Sequence, residues 1–231
     1  FTSNESSKVF TDRDENEKIK SAVSITDTGK VLALMAEANN EFSGNLYLLP
    51  TNGSGKKELV QENFASPQPP IISPNGEKIA YLLFSNAEKD FGFKLIISNL
   101  DGSSKKELAN DATNMMLFCW SKNSQEIVFA KGSNLDLFSV DINSSKLDEL
   151  YVPDGQQIYN ATISSSRILA ISLGNQGSNT FNEANIYTLE KGSKKLTQVT
   201  NNDIFDNYPI YDENQNLVFL SVNYDAKNSE A

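Results

Sequence analysis

Histidine is missing from this chain of 231 residues, and cysteine occurs once. Without histidine, Ser–His and Cys–His nucleophilic catalysis in their usual form are excluded, as are zinc sites that use imidazole. The lone thiol, Cys119, allows no intrachain disulfide and no thiolate-rich metal centre. It lies in the apolar run Met115–Trp120, the setting of a small buried hydrophobe rather than a reactive thiol. No stretch approaches the roughly 18–20 apolar residues of a membrane span, so no membrane insertion is expected. Basic charge is also scarce. Twenty Lys and Arg against 30 Asp and Glu leave a formal charge of −10, which disfavours nucleic-acid binding and favours solubility.

Neither a Gly-x-Ser-x-Gly elbow nor a P-loop occurs. Carboxylate-pair chemistry of the glycosidase type stays open, because scattered Asp and Glu give no spatial pairing. The segment Asp12–Glu17 has the acidity of a calcium loop. It lacks the glycine at the sixth position and has Val23 where the twelfth-position glutamate belongs, so a solvated acidic loop is expected. The runs Asn201–Asp203 and Asp206–Asn207 offer oxygen ligands but have the composition of ordinary turns. No cofactor and no metal is expected. The chain opens on Phe1 with no Met, basic n-region or apolar h-region, as a trimmed piece of a longer product would.

What is present is a repeat. Its clearest copy is Ile72-Ser73-Pro74-Asn75-Gly76-Glu77-Lys78-Ile79-Ala80-Tyr81. The same register returns at Ile25–Leu34, at Trp120–Phe129 and, more loosely, at Ile163–Ala170 and Ile210–Phe219. From Thr26 to Ser73, Ser121, Ser164 and Tyr211 the successive steps are 47, 48, 43 and 47 residues. A fixed period of this size marks a repeat architecture, since one such unit cannot bury its own apolar face.

Each unit reads as four short strands. The first is short and apolar: Ala22–Ile25, Pro70–Ile72, Leu117–Trp120, Ala161–Ile163 and Tyr208–Tyr211. A turn follows in which Pro presets φ and Gly accepts a positive one. The second strand is aliphatic along its length, as in Lys78–Phe84 and Glu126–Ala130, which means burial on both faces. The third strand alternates (Asn45–Leu49, Lys94–Ser98, Asp136–Val140, Asn185–Leu189) and ends in polar turns such as Asp101-Gly102, a hairpin signal. The fourth is short and charged: Lys56–Leu59, Lys105–Leu108 and Lys194–Thr197. Charge there protects an outer sheet edge from pairing with other chains, and this reading of the repeated pairs Lys56/Lys57, Lys105/Lys106 and Lys194/Lys195 is favoured over an anion-binding rim.

Four antiparallel strands with an apolar inner and a charged outer strand make a β-propeller blade. The expected fold is therefore all-β: a single propeller domain over 1–231, with repeats near 22–69, 70–116, 117–160 and 161–207. A partial blade combines 208–231 with 1–21. The count gives either about five blades or an arc of a larger ring.

The segment Ser73–Tyr81, together with Leu95-Ile96-Ile97-Ser98-Asn99-Leu100-Asp101-Gly102-Ser103-Ser104-Lys105-Lys106-Glu107-Leu108, resembles the repeat of TolB-like propellers, the WD40-like PD40 repeat. The resemblance spans most of the chain and is strongest in the unit that starts near Pro70. It departs at Ser164–Arg167, which has neither the Pro nor the Gly, so the inner turn there must differ. No Trp-Asp dipeptide of the other repeat type occurs. The resemblance implies a periplasmic or otherwise extracytoplasmic protein–protein role, such as docking to an envelope lipoprotein. Lyase relatives have a metal site resembling a His cluster, which this chain cannot form. Peptidase relatives carry a separate hydrolase domain, for which no sequence remains here.

In a propeller, blade-to-blade loops and second-to-third-strand loops emerge on one face. These are the long ones here: 12–21, 36–44, 61–69, 85–92, 151–160, 173–184 and 201–207. They carry Phe42, Phe64, Phe91, Tyr159, Phe181 and Phe205 among polar residues. Aromatics on loops held by a rigid scaffold suit a binding face. The expected function is a non-catalytic propeller that binds a protein partner through this face. The alternatives are a glycan- or small-ligand-binding propeller, or a carboxylate-based hydrolase or lyase.

Overall fold

The computed structural model describes residues 17–25, 30–37, 43–50, 58–66, 68–88, 91–175 and 183–223. All its regular elements are strands, and the chain forms two compact units, 1–107 and 108–231. In the first unit, β1 (Glu17–Ile25), β2 (Lys30–Glu37), β3 (Ser43–Pro50) and β4 (Glu58–Ala65) form one sheet in sequence order. A second sheet follows in the same order: β5 (Ile71–Ile72), β6 (Lys78–Ser85), β7 (Gly92–Asn99) and β8 (Lys106–Asp111). The division between units falls within β8.

The second unit repeats the plan. One sheet is β9 (Met115–Trp120), β10 (Glu126–Lys131), β11 (Asp136–Asp141) and β12 (Leu147–Tyr151). The next is β13 (Gln156–Ile163), β14 (Ile168–Asn175), β15 (Ala184–Glu190) and β16 (Lys195–Gln198). A hairpin, β17 (Phe205–Tyr211) and β18 (Leu217–Val222), joins that sheet through a single parallel bridge, Ala184 to Phe205. The meander of four-stranded blades plus a two-stranded remainder is the one read from the repeat.

Among the described side chains, the second strands β6, β10 and β14 are buried on both faces, as their unbroken apolar runs require. Ile79–Leu82, Ile127–Ala130 and Leu169–Ile171 are fully enclosed. In the first unit, Leu46, Leu48, Val60 and Phe64 of one sheet pack against Ile79, Tyr81 and Ile96 of the next. In the second unit, Val128, Leu137 and Leu150 meet Ile158, Ile163, Leu169 and Ile171. The hairpin β17–β18 departs from this pattern: Tyr208, Ile210, Val218 and Leu220 are exposed.

One turn geometry recurs after the inner strands β5, β9, β13 and β17. Ser73, Ser121 and Ser164 each accept, on Oγ, the backbone N–H of the residue that opens the next strand: Lys78, Glu126 and Ile168 at 2.9–3.0 Å. Asp212 Oδ1 likewise accepts the N–H of Asn216, the residue just before β18, at 2.7 Å. The residue three positions on is left-handed in every case: Gly76 (φ 72°), Ser124 (59°), Arg167 (64°) and Gln215 (65°). The Ser164–Arg167 turn is one residue shorter before its strand begins, and Arg167 stands where the clearest repeat has glycine. A residue with a Cβ bears a cost of roughly 1–2 kcal/mol in that conformation.

Candidate functional site

The strands run further toward the long-loop ends of the blades than the sequence suggests, because bulges carry polar residues inside strands. Segment 61–69, read as a loop, is largely β4. A register shift beside Leu46 lets Gln61 and Glu62 pass within the strand, and Phe64 arrives opposite Gly44. Its ring is 1% exposed and packs 5.7 Å from Tyr81. Phe64 is therefore a core residue, and its expected place on a binding loop is corrected. Segments 151–160, 173–184 and 201–207 are likewise shortened by β13, β14 and β17.

Tyr159 sits at a bulge between Ile158 and Asn160, where a strand can re-aim a side chain. Its ring lies edge-on to Phe205 at 5.0 Å and covers Gly174, where an added Cβ would meet Tyr159 Cε2 at 2.7 Å. Burial raises the Tyr159 hydroxyl above its ordinary pKa. Phe205 itself is buried. The two form a packed pair rather than two separate contact points. Beside them Asp206 is enclosed: its carboxylate accepts from Asn202 Nδ2 at 3.0 Å and from the Ser221 hydroxyl, while its carbonyl accepts from Ser172 Oγ at 2.6 Å. These oxygens pin the loop to the sheet. Phe42 and Phe181 lie outside the described residues, as does 12–16 of the acidic loop.

Phe91 keeps the expected place. It is 58% exposed at the β6–β7 connection, edge-on to Phe84 at 5.7 Å. Phe84, at the end of β6 and 38% exposed, packs at a tilt of 48° and 5.0 Å against Phe93, its cross-strand partner. Neither Phe84 nor Phe93 stands out as a site residue in the sequence. Their signal is the pairing itself, since residues closing β6 and opening β7 must face each other once the hairpin register is set.

The opposite ends of the second unit's blades hold a polar seam. Lys191, in the turn after β15, is buried and reaches back to the preceding sheet. Its ammonium donates to Glu126 Oε1 and, at 2.8 Å, to Ser139 Oγ, with Asp148 Oδ2 at 3.7 Å. Arg167 Nη2 lies 3.7 Å from the same Glu126 oxygen. Two clefts flank this cluster. The larger, about 670 Å³, runs between Ser166–Arg167 and the turn Lys191–Lys194. The smaller, about 290 Å³, lies between Asn123, Gln125 and Ser165. Arg167 borders both. Of the Lys-Lys pairs, Lys194–Lys195 reaches the larger cleft through Lys194, whereas the buried Lys191 stands outside every pair. Among the described residues no group of three or more Asp, Glu or Cys is placed to hold a metal ion.

No protein-family model and no curated protein sequence matches this chain. Solved structures do. A putative TolB from Agrobacterium tumefaciens superposes with a TM-score of 0.64 at 18% identity, over 88% of this chain and 70% of that one. TolB from Acinetobacter baumannii gives 0.57 at 15% identity, over 80% of this chain and 45% of the other. The β-propeller domain of the Trilobed protease from Pyrococcus furiosus, described as having an open velcro topology, gives 0.56 at 17%, over 78% and 57%. The chain thus spans about half the length of the last two. The fold is shared by TolB proteins and by a protease's propeller domain, so it assigns no activity by itself. Blade count, strand order and these superpositions agree that this chain has the TolB-like β-propeller fold.

Proposed function

We propose that the protein is a non-catalytic propeller scaffold that binds a protein partner, outside the cytoplasm, through aromatic side chains at its blade ends. The observation that carries this reading is the Phe84–Phe91–Phe93 cluster: Phe84 touches both other rings, and Phe84 and Phe91 are exposed, on the rigid β6–β7 hairpin. Exposed aromatics held by a packed sheet are the usual anchors of protein interfaces, because ordering them costs little conformational entropy. Covering Phe91 and Phe84 would contribute about 2–3 kcal/mol at the ordinary value for buried apolar area. The extracytoplasmic placement rests on the resemblance to TolB-like propellers.

The test is capture on the immobilised full chain from an envelope fraction of the source organism. The retained protein is then identified, and its affinity is measured with purified components. Phe84→Ser combined with Phe91→Ser is expected to weaken that affinity at least tenfold while leaving the thermal midpoint within a few degrees. Equal affinity for both chains would sink the reading. Thermal stabilisation by oligosaccharides, with no protein captured, would favour the glycan alternative.

A further inference from the structure

The left-handed position of the inner turns separates Arg167 from its counterparts. Gly76 takes that conformation freely. Ser124 is buried and has a polar partner. Gln215 uses its side chain within the fold, its Oε1 accepting from the N–H of Ser165 at 2.9 Å and from the hydroxyl at 2.5 Å. The Arg167 side chain, by contrast, is 64% exposed. Its contact among the described residues is the 3.7 Å approach to Glu126 Oε1, an oxygen that Lys191 already occupies. So exposed an ion pair adds little stability and does not offset backbone strain. Arg167 is also one of only two arginines in the chain, with Arg13. A strained, largely exposed guanidinium that lines a cleft and has one long ion pair has donors to spare for a ligand that it can grip.

We propose that Arg167 anchors an oxyanion site in the larger seam cleft of the second unit, taking the carboxylate or phosphate group of a small ligand. The guanidinium offers paired N–H donors in the geometry that such groups accept. Ser166 supplies a hydroxyl and Lys194 an ammonium on the same lining. Asp148 and Glu190 share the lining, so the site admits one anionic group at the arginine and repels a ligand charged along its length. This site is independent of the aromatic cluster, and neither reading depends on the other.

The experiment compares thermal unfolding and calorimetric titration of the full chain in sodium phosphate, sodium acetate and sodium gluconate. Each is matched in ionic strength to sodium chloride. At least one of the three is expected to raise the midpoint above the chloride control and to bind with one-site stoichiometry. Phosphate alone would identify a phosphate ligand, acetate or gluconate alone a carboxylate ligand, and both together the shared oxyanion chemistry. Arg167→Gly should raise the midpoint in chloride, because the strain is gone, and should abolish the ligand-induced shift. Arg167→Lys, which keeps the charge but loses the fork, should weaken binding at least fivefold. The proposal is overturned if no oxyanion shifts the wild-type midpoint. It is equally overturned if Arg167→Gly keeps the full shift, or if that variant is less stable than wild type in chloride.

Discussion

Lys191 Nζ donates to Ser139 Oγ at 2.8 Å across 52 residues of sequence, and the same ammonium is clasped by Glu126. The outer turn of one blade is thereby fastened to the second and third strands of the blade before it. Taking an ammonium out of water is costly, and removing it afterwards leaves Glu126 and Ser139 without their partner. Lys191→Met should therefore lower stability by about 2–4 kcal/mol, read as a shift in the urea midpoint. Adding Glu126→Gln to Lys191→Met should recover part of the loss, giving a coupling of roughly 1–3 kcal/mol. A single-variant cost of less than about 0.5 kcal/mol would show that the seam is not held this way.

Two glycines with positive φ should respond differently to alanine. An added Cβ at Gly76 would meet nothing within 4 Å, so Gly76→Ala carries only the left-handed penalty, about 1 kcal/mol. At Gly102 the same atom would fall 2.2 Å from the Val60 carbonyl oxygen, a backbone group that cannot rotate away. Gly102→Ala should cost several times more, roughly 3 kcal/mol or above, by chemical denaturation. Similar costs at the two sites would mean that the β7–β8 turn does not press on β4 as described.

The repeat made the blades legible because its signals are local. Alternation, apolar runs and Asx-Gly turns act within ten residues, and they located every described sheet. The bulges were not legible. Gln61, Glu62 and Asn63 look like a loop, and only pairing with β3 shows that the strand passes through them to bury Phe64. Nor was the seam legible, since Glu126 and Lys191 lie 65 residues apart and neither has a local signature. The Ser-x-x-Gly register was visible, but not what the serine does. Its Oγ holds the first N–H of the next strand, which is a matter of geometry rather than of pattern.

The single thiol, half-buried rather than enclosed, should react slowly in the folded protein. Burial pushes Cys119 from 9.0 up to about 12, against smaller opposing effects of hydrogen bonds from Ile163 and Thr162. At pH 8 an alkylating reagent should label it far more slowly in the folded protein than in the unfolded chain, since little thiolate is present, and equal rates in the two states would contradict the raised pKa. The same shift has an alkaline consequence. The thiol is held protonated in the fold, so its contribution is intact below about pH 9 and is lost as pH rises toward about 12. Cys119→Ala should flatten the alkaline limb of the stability profile.

At the acid end the turn between β8 and β9 should give way through Asp111. Burial works against this carboxylate. It is outweighed by Thr113, which donates its hydroxyl at 2.5 Å and its N–H at 2.8 Å, by the N–H of Asn114 at 3.2 Å, and by the charge of Lys131. The net effect holds Asp111 below the usual carboxylate range. A carboxylate whose folded pKa is depressed contributes stability above its unfolded pKa and loses it as pH falls through the folded one. Between pH 5 and pH 2 the unfolding midpoint should therefore drop. Asp111→Asn keeps an acceptor oxygen but has no charge to lose, so it should start less stable at pH 7 and fall less steeply. Parallel curves for the two proteins would place the acid sensitivity elsewhere, with Asp101 and Asp212 the next carboxylates to replace, since turn hydrogen bonds lower both.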